Sequence, residues 1–135
     1  MLSCFKFHHI GIAVFDIEKT ARLYIEAGYS KTETVYDPIQ NVDICFLEKQ
    51  GMPRVELLAP KDEKSPVVKT LQKNGVTPYH NCYEVPDIDS AVAELKKKKF
   101  VMVAKPSPAC AIDNRNVCFL FNKDLGLIEL VEAAS

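Results

Sequence analysis

The feature that most constrains this 135-residue chain is that its second half repeats its first. The stretch from His9 to Ile17 sets against that from His80 to Ile88 at an offset of 71, and the pairs His9/His80, Val14/Val85, Asp16/Asp87 and Ile17/Ile88 coincide. Further on, Asp43-Ile44-Cys45-Phe46-Leu47 meets Asn116-Val117-Cys118-Phe119-Leu120 at an offset of 73. At the same offset Val55-Glu56-Leu57-Leu58 meets Ile128-Glu129-Leu130-Val131. Two added residues between matched blocks are an ordinary loop adjustment. A chain built this way folds as two copies of one unit, and each copy has to be read against the other.

Each copy reads as strand, helix, then three strands. In the first, residues 7–14 are rich in β-branched and aromatic side chains and predict a strand. Asp16 predicts an N-cap for a helix running to about Ala27, with Ile17, Ala21, Tyr24 and Ile25 along one face and Gly28 at its C-terminal end. Strands are expected at 31–36, 42–48 and 54–58, separated by the turn residues Asp37-Pro38 and Gly51-Met52-Pro53. The second copy predicts a strand at 78–85, an Asp87-capped helix through Lys98, and strands at 100–104, 116–121 and 127–131. Between the copies, Ser65-Pro66 opens a connector helix that Gly75 ends. The expected organisation is one domain over residues 1–135: module one at 5–60, connector helix at 61–77, module two at 78–133. The expected fold class is α+β, with two tandem βαβββ modules forming a curved, mostly antiparallel sheet.

Composition narrows the function by exclusion. A net charge of −1 gives no electrostatic footprint for nucleic acid or an anionic membrane. No apolar run approaches a membrane span, and the N-terminus lacks the pattern of a signal peptide, so a cytoplasmic protein is expected. The five cysteines (Cys4, Cys45, Cys82, Cys110 and Cys118) are odd in number and form no C-x-x-C pair, which suits thiols in a reducing compartment. Lys96–Lys99 falls at the end of the second helix, where cations meet the helix dipole favourably; a solvated face is the expected reading, and contact with a phosphate-bearing substrate is the alternative.

Four residues do not suit a core. His9 and His80 open equivalent strands, and Glu56 and Glu129 sit between aliphatic neighbours in strands that otherwise read as buried. A carboxylate inside a sheet without a partner is costly, although strand alternation also allows a wet glutamate face. Singly, each has that ordinary reading. Together, one histidine and one glutamate recur 47 residues apart in the first copy and 49 in the second. Modules paired about a pseudo-twofold axis bring all four to one point. Two imidazoles and two carboxylates neutralise a divalent cation and offer donors suited to Co, Ni, Mn, Fe or Zn. His8 points to the opposite side by strand parity and reads as structural. The cysteines make poor ligands, Cys45 and Cys118 being small core hydrophobes.

On these residues the chain resembles the vicinal oxygen chelate (glyoxalase/bleomycin resistance/dioxygenase) superfamily over nearly its whole length. The most specific matches are to the methylmalonyl-CoA epimerase-like branch: the segment from His9 to Val14, Val55 to Pro60, Ser65 to Gly75, and Gly126 to Leu130. The resemblance implies a glyoxalase-like fold with His9, Glu56, His80 and Glu129 as metal ligands; glyoxalase I (lactoylglutathione lyase) is similar in its His/Glu/His/Glu set. It also implies a metal that chelates adjacent substrate oxygens and stabilises an enolate or enediolate. Two positions depart from the family. Where several epimerases carry a base glutamate four residues after a glutamine matching Gln40, this chain has Ile44, with Asp43 beside it facing the other way. Where the family has a glycine-rich loop, Pro106 to Arg115 contains no glycine.

The expected activity is a metal-dependent isomerase, epimerase or lyase that moves a proton α to a carbonyl. Its substrate is an acyl thioester or, on the glyoxalase I alternative, a glutathione adduct, with Glu129 and Glu56 as the proton-transfer groups. A non-catalytic, drug-binding resistance-type protein is the reading from another class. No nucleic-acid or membrane partner is expected, and a homodimer is compatible with the sequence.

Overall fold

Aspartates start two of the helices for the same local reason. In the computed structural model, which describes residues 2–134, Asp16 lies in extended backbone and its carboxylate accepts the Lys19 N–H at 3.1 Å. It opens helix α1 (Ile17–Glu26), with Glu18 in the positive first turn. Asp87 repeats the arrangement on Ser90 and opens α3 (Ile88–Lys97). Gly28, just past the Ala27 cap, has φ +98, a left-handed conformation that costs glycine little. The connector helix α2 (Val67–Asn74) starts where the Ser65 hydroxyl accepts the Val67 N–H, and Gly75 stops it at φ +70.

The chain divides into two compact units, His9–Tyr79 and residues 80–134 together with 2–8. Strand β1 (Lys6–Ala13) contributes its first three residues to the second unit and the rest to the first. In the first unit the order is β2 (Ser30–Lys31), β4 (Val42–Glu48), β5 (Val55–Pro60), β1, with β3 (Val35–Asp37) also on β4. In the second it is β6 (Thr77–Val85), β9 (Gly126–Glu132), β8 (Arg115–Asn122), β7 (Val101–Ala109). Each module therefore pairs its first strand with its last in parallel, β1 with β5 and β6 with β9, while its remaining neighbours run antiparallel. The expected α+β class and βαβββ order hold.

β5 and β9 are the centre of their units, buried on both faces, which is why they read as near-continuous apolar runs interrupted only by glutamate. One face of each packs under its helix. In the first unit Ile17 and Ala21 of α1 meet Cys45, Leu47, Val55 and Leu57, with Tyr24 half-buried beside them. In the second, Ile88, Ala91, Val92 and Leu95 of α3 meet Cys118, Leu120, Ile128 and Leu130. Ile25, expected on the buried face of α1, is exposed. Lys96, Lys97, Lys98 and Lys99 are all exposed, as a solvated helix end requires.

Two strands differ from expectation. The strand expected at 31–36 is broken into β2 and β3, because the Thr32 hydroxyl accepts the Phe46 N–H at 2.9 Å and takes a place in the ladder. The strand expected at 100–104 runs on to Ala109 through Pro106 and Pro108, with two register shifts. β7 ends its unit's strand order, where a missing proline N–H leaves no ladder bond broken. No helix among the described residues is long and apolar enough to cross a membrane.

Candidate metal centre

Strand register assigns the faces. In the first unit Phe46 pairs with Glu56, Ile44 with Leu58 and Asp43 with Ala59. Ala59 belongs to the core under α1, so Glu56 and Leu58 point to the opposite face, together with Phe46 and Ile44. On β1, Gly11 pairs with Glu56, and His9, two residues earlier, shares that face. The structure thus brings His9 beside Glu56, with Nε2 and Oε1 3.3 Å apart and both side chains buried. The second unit repeats this. Phe119 and Cys82 flank Glu129 in register, and His80 Nε2 lies 3.0 Å from Glu129 Oε1. None of the four residues exceeds 5% exposure.

Behind each imidazole stands a ring. Phe46 meets His9 edge-on at 5.3 Å between centroids, and Phe119 meets His80 at 5.2 Å. An aromatic edge packed on a histidine narrows the ring's orientations before any ligand arrives. These phenylalanines are neighbours of the candidate ligands that residue type alone did not single out. The signal was present in the repeat, since Phe46 and Phe119 coincide at the offset of 73.

The donor set of each half fits a divalent ion. Two donors at about 2.1 Å from one ion and at right angles are about 3.0 Å apart. The observed pairs, at 3.3 and 3.0 Å, stand close to that separation. Cys45 and Cys118 face the helices instead, and burial pushes their thiols up to about 11 and about 12, so they remain protonated. Cys82 is the exception among the buried cysteines. It lies on Glu129's face, where the first unit has Gly11. His8 is half-buried and, by alternation, on the other side of β1 from His9.

Asp43 is placed away from this face. It shares the side of Ala59, and its carboxylate lies 3.7 Å from Lys61 Nζ. Ile44, buried to 1% exposure, takes the place on Glu56's face. At the end of the second unit's ligand face, Arg115 donates to Glu84 at 2.6 Å, which holds the Glu84 carboxyl below the usual range.

With this geometry in view, comparison with known proteins is direct. Residues 8–119 match the family model of the Glyoxalase/Bleomycin resistance protein/Dioxygenase superfamily. The mitochondrial methylmalonyl-CoA epimerase of Homo sapiens is 37% identical over 132 residues, covering 95% of this chain and 74% of that protein. The ethylmalonyl-CoA/methylmalonyl-CoA epimerase of Cereibacter sphaeroides is 32% identical, with 93% and 96% covered. The crystal structure of methylmalonyl-CoA epimerase from Mycobacterium tuberculosis superposes with a TM-score of 0.85 at 28% identity, covering 96% of this chain and 89% of that one. A methylmalonyl-CoA epimerase solved in complex with methylmalonyl-CoA and NH4+ gives 0.83 at 28% identity, with 98% and 96% covered. This chain belongs to the glyoxalase/bleomycin resistance protein/dioxygenase superfamily, in its methylmalonyl-CoA epimerase branch.

Proposed function

We propose that the chain is a divalent-metal-dependent epimerase of acyl-CoA thioesters, in which His9, Glu56, His80 and Glu129 together hold one ion. The observation that carries this is the duplicated donor pair, a buried imidazole about 3 Å from a buried carboxylate in each half. Two neutral nitrogens and two carboxylate charges balance a divalent ion of the Co, Ni, Mn, Fe or Zn group. The relatives named as methylmalonyl-CoA epimerases support a malonyl-type thioester as substrate, in preference to a glutathione adduct.

When bound, the ion supplies Lewis-acid polarisation of the thioester carbonyl, which acidifies the carbon next to it. Glu56 and Glu129 carry the proton. On the first unit's ligand face Ile44 is aliphatic and Asp43 is turned away to Lys61; of the strand carboxylates there, Glu48 is engaged by Arg54, and Asp37 accepts the Ile39 and Gln40 backbone N–H groups and the Gln40 side-chain amide. In the second unit Val117 stands at the matched place, and Glu84 is held deprotonated and weakly basic by Arg115. An epimerase removes a proton from one side of a carbon and returns it on the other, and two equivalent glutamates suit that requirement.

The test is exchange of the α-proton of methylmalonyl-CoA with solvent deuterium, followed by NMR on protein loaded with Co2+ and on protein stripped by chelator. Exchange by the loaded protein, lost on stripping and restored by the ion, is expected. Equal exchange with and without the ion would remove the metal from the mechanism. Absence of exchange in both would remove the epimerase reading.

A further inference from the structure

The two halves keep the same ligand pair and the same ring behind it, but they diverge at the next row along the sheet. β8 and β9 stay in unbroken register from Val117↔Val131 to Asn122↔Gly126. Phe121 and Leu127 therefore oppose each other on Glu129's face, one row outward from Phe119 and Glu129. Val101 pairs with Phe121 from the other side. The row is wholly apolar yet open: Val101 is 65% exposed, Phe121 45%, and Leu127 half-buried. The repeat puts Ser30, Glu48 and Arg54 at the matched places of the first half. There Ser30 pairs with Glu48, whose carboxylate accepts the Arg54 Nε–H at 2.6 Å. An exposed ion pair resists being covered, whereas an exposed Val–Phe–Leu row gains from it.

A thioester has one arm. The ligand set is duplicated, but the substrate leaves it in a single direction, through sulfur, so something beside the ligands has to select a side. Resting on the epimerase reading above, we propose that the Val101–Phe121–Leu127 row is the surface along which the pantetheine arm of the acyl-CoA leaves the site. Two residues along a strand span about 7 Å. That is beyond the reach of a methyl or ethyl substituent on the reacting carbon. It is within reach of the two methylene groups that follow the sulfur. Partial exposure fits a segment that stays partly wet on its way to a nucleotide in solvent. The ion pair on the first half makes that side the poorer exit.

The experiment is a calorimetric titration of the Co2+-loaded protein with propionyl-CoA, with sedimentation run in parallel. Phe121→Ala is expected to weaken binding about tenfold through lost apolar contact. Phe121→Leu should recover most of the loss, and Glu48→Ala, at the matched place in the other half, should change binding by less than about twofold. Both positions are exposed, so the variants are expected to keep the wild-type melting temperature. The proposal is overturned by unchanged affinity in Phe121→Ala, by an equal loss in Glu48→Ala, or by no binding of propionyl-CoA to the wild type. It is also overturned if Phe121→Ala dissociates a dimer while affinity is unchanged, which would give the row to a second copy. Binding through the row in a protein that exchanges no α-proton would support the arm surface and sink the epimerase reading alone.

Discussion

The first and second halves of this chain agree at three positions and disagree on either side of them. Histidine, glutamate and the phenylalanine behind the histidine are the same, at nearly the same spacing. At one end of the ligand face the second half has the ion pair Glu84–Arg115, where the repeat puts Ala13 and Val42 in the first. At the other end the first half has Glu48–Arg54, where the second has Phe121 and Leu127. The helices differ as well: α3 buries four side chains and α1 two. What the duplication has preserved is the proposed donor set, and what has drifted is what surrounds it.

The sharpest way to break this comparison is to treat the glutamates as a pair. Glu129→Gln keeps a neutral oxygen donor but loses proton-accepting power. Deuterium exchange should fall about 10²–10⁴-fold while metal analysis still finds the ion. Glu56→Gln should match it if both sides of the reacting carbon are served. A one-sided loss would mark an isomerase, and near-normal exchange in both, with loss in Asp43→Asn, would return the base to Asp43. Next in size, His9→Ala and His80→Ala should each weaken metal binding about 10–100-fold, and by similar factors. Unequal factors would show that matched positions do not carry matched roles, and full occupancy in the double variant would exclude the histidines.

Stability should separate the halves in the other direction. Leu95→Ala, in the core under α3, should cost about 3 kcal/mol by denaturant titration. Tyr24→Ala, at the matched place on half-buried α1, should cost roughly half that. Equal costs would mean that the two helices are equally anchored. The smallest effect belongs to Glu84. Its folded-state carboxyl is depressed by Arg115, so the pair stabilises the native state at neutral pH and loses that contribution as pH falls through the depressed value. Glu84→Gln should therefore be less stable than the parent by under about 1 kcal/mol at pH 7, with the gap closing toward acid. A gap that widens in acid would refute the sign.

Much of this was legible in the order of residues alone. The repeat located the two buried His–Glu pairs, and parity placed Ile44 and Asp43 on opposite faces, because alternation in a strand is a strict rule. Less legible was whatever depended on the strand's neighbours. Pro106 and Pro108 read as loop because proline breaks a ladder, and only the terminal place of β7 in its strand order makes them tolerable. Thr32 reads as an ordinary strand residue, yet its hydroxyl substitutes for a backbone partner. Residue type did not single out Phe46, Phe119 or Cys82; they share a face with Glu56, Glu129 and His80, and cross-strand register, which a single strand's alternation does not carry, decides it.

Each ligand pair is also a seam. β1 and β5 are the first and last strands of their module, as are β6 and β9, and parallel pairing joins beginning to end only after everything between them is in place. His9 and Glu56, 47 residues apart, meet when that circuit closes, and His80 and Glu129 close the other. Such contacts are non-local and late in folding. The ion proposed for them would bind the finished module and not the unfolded chain, and so would act as a rivet. Stability should then rise with the logarithm of free ion concentration, and a chelator should loosen the strands that carry the chemistry in the same act by which it stops it.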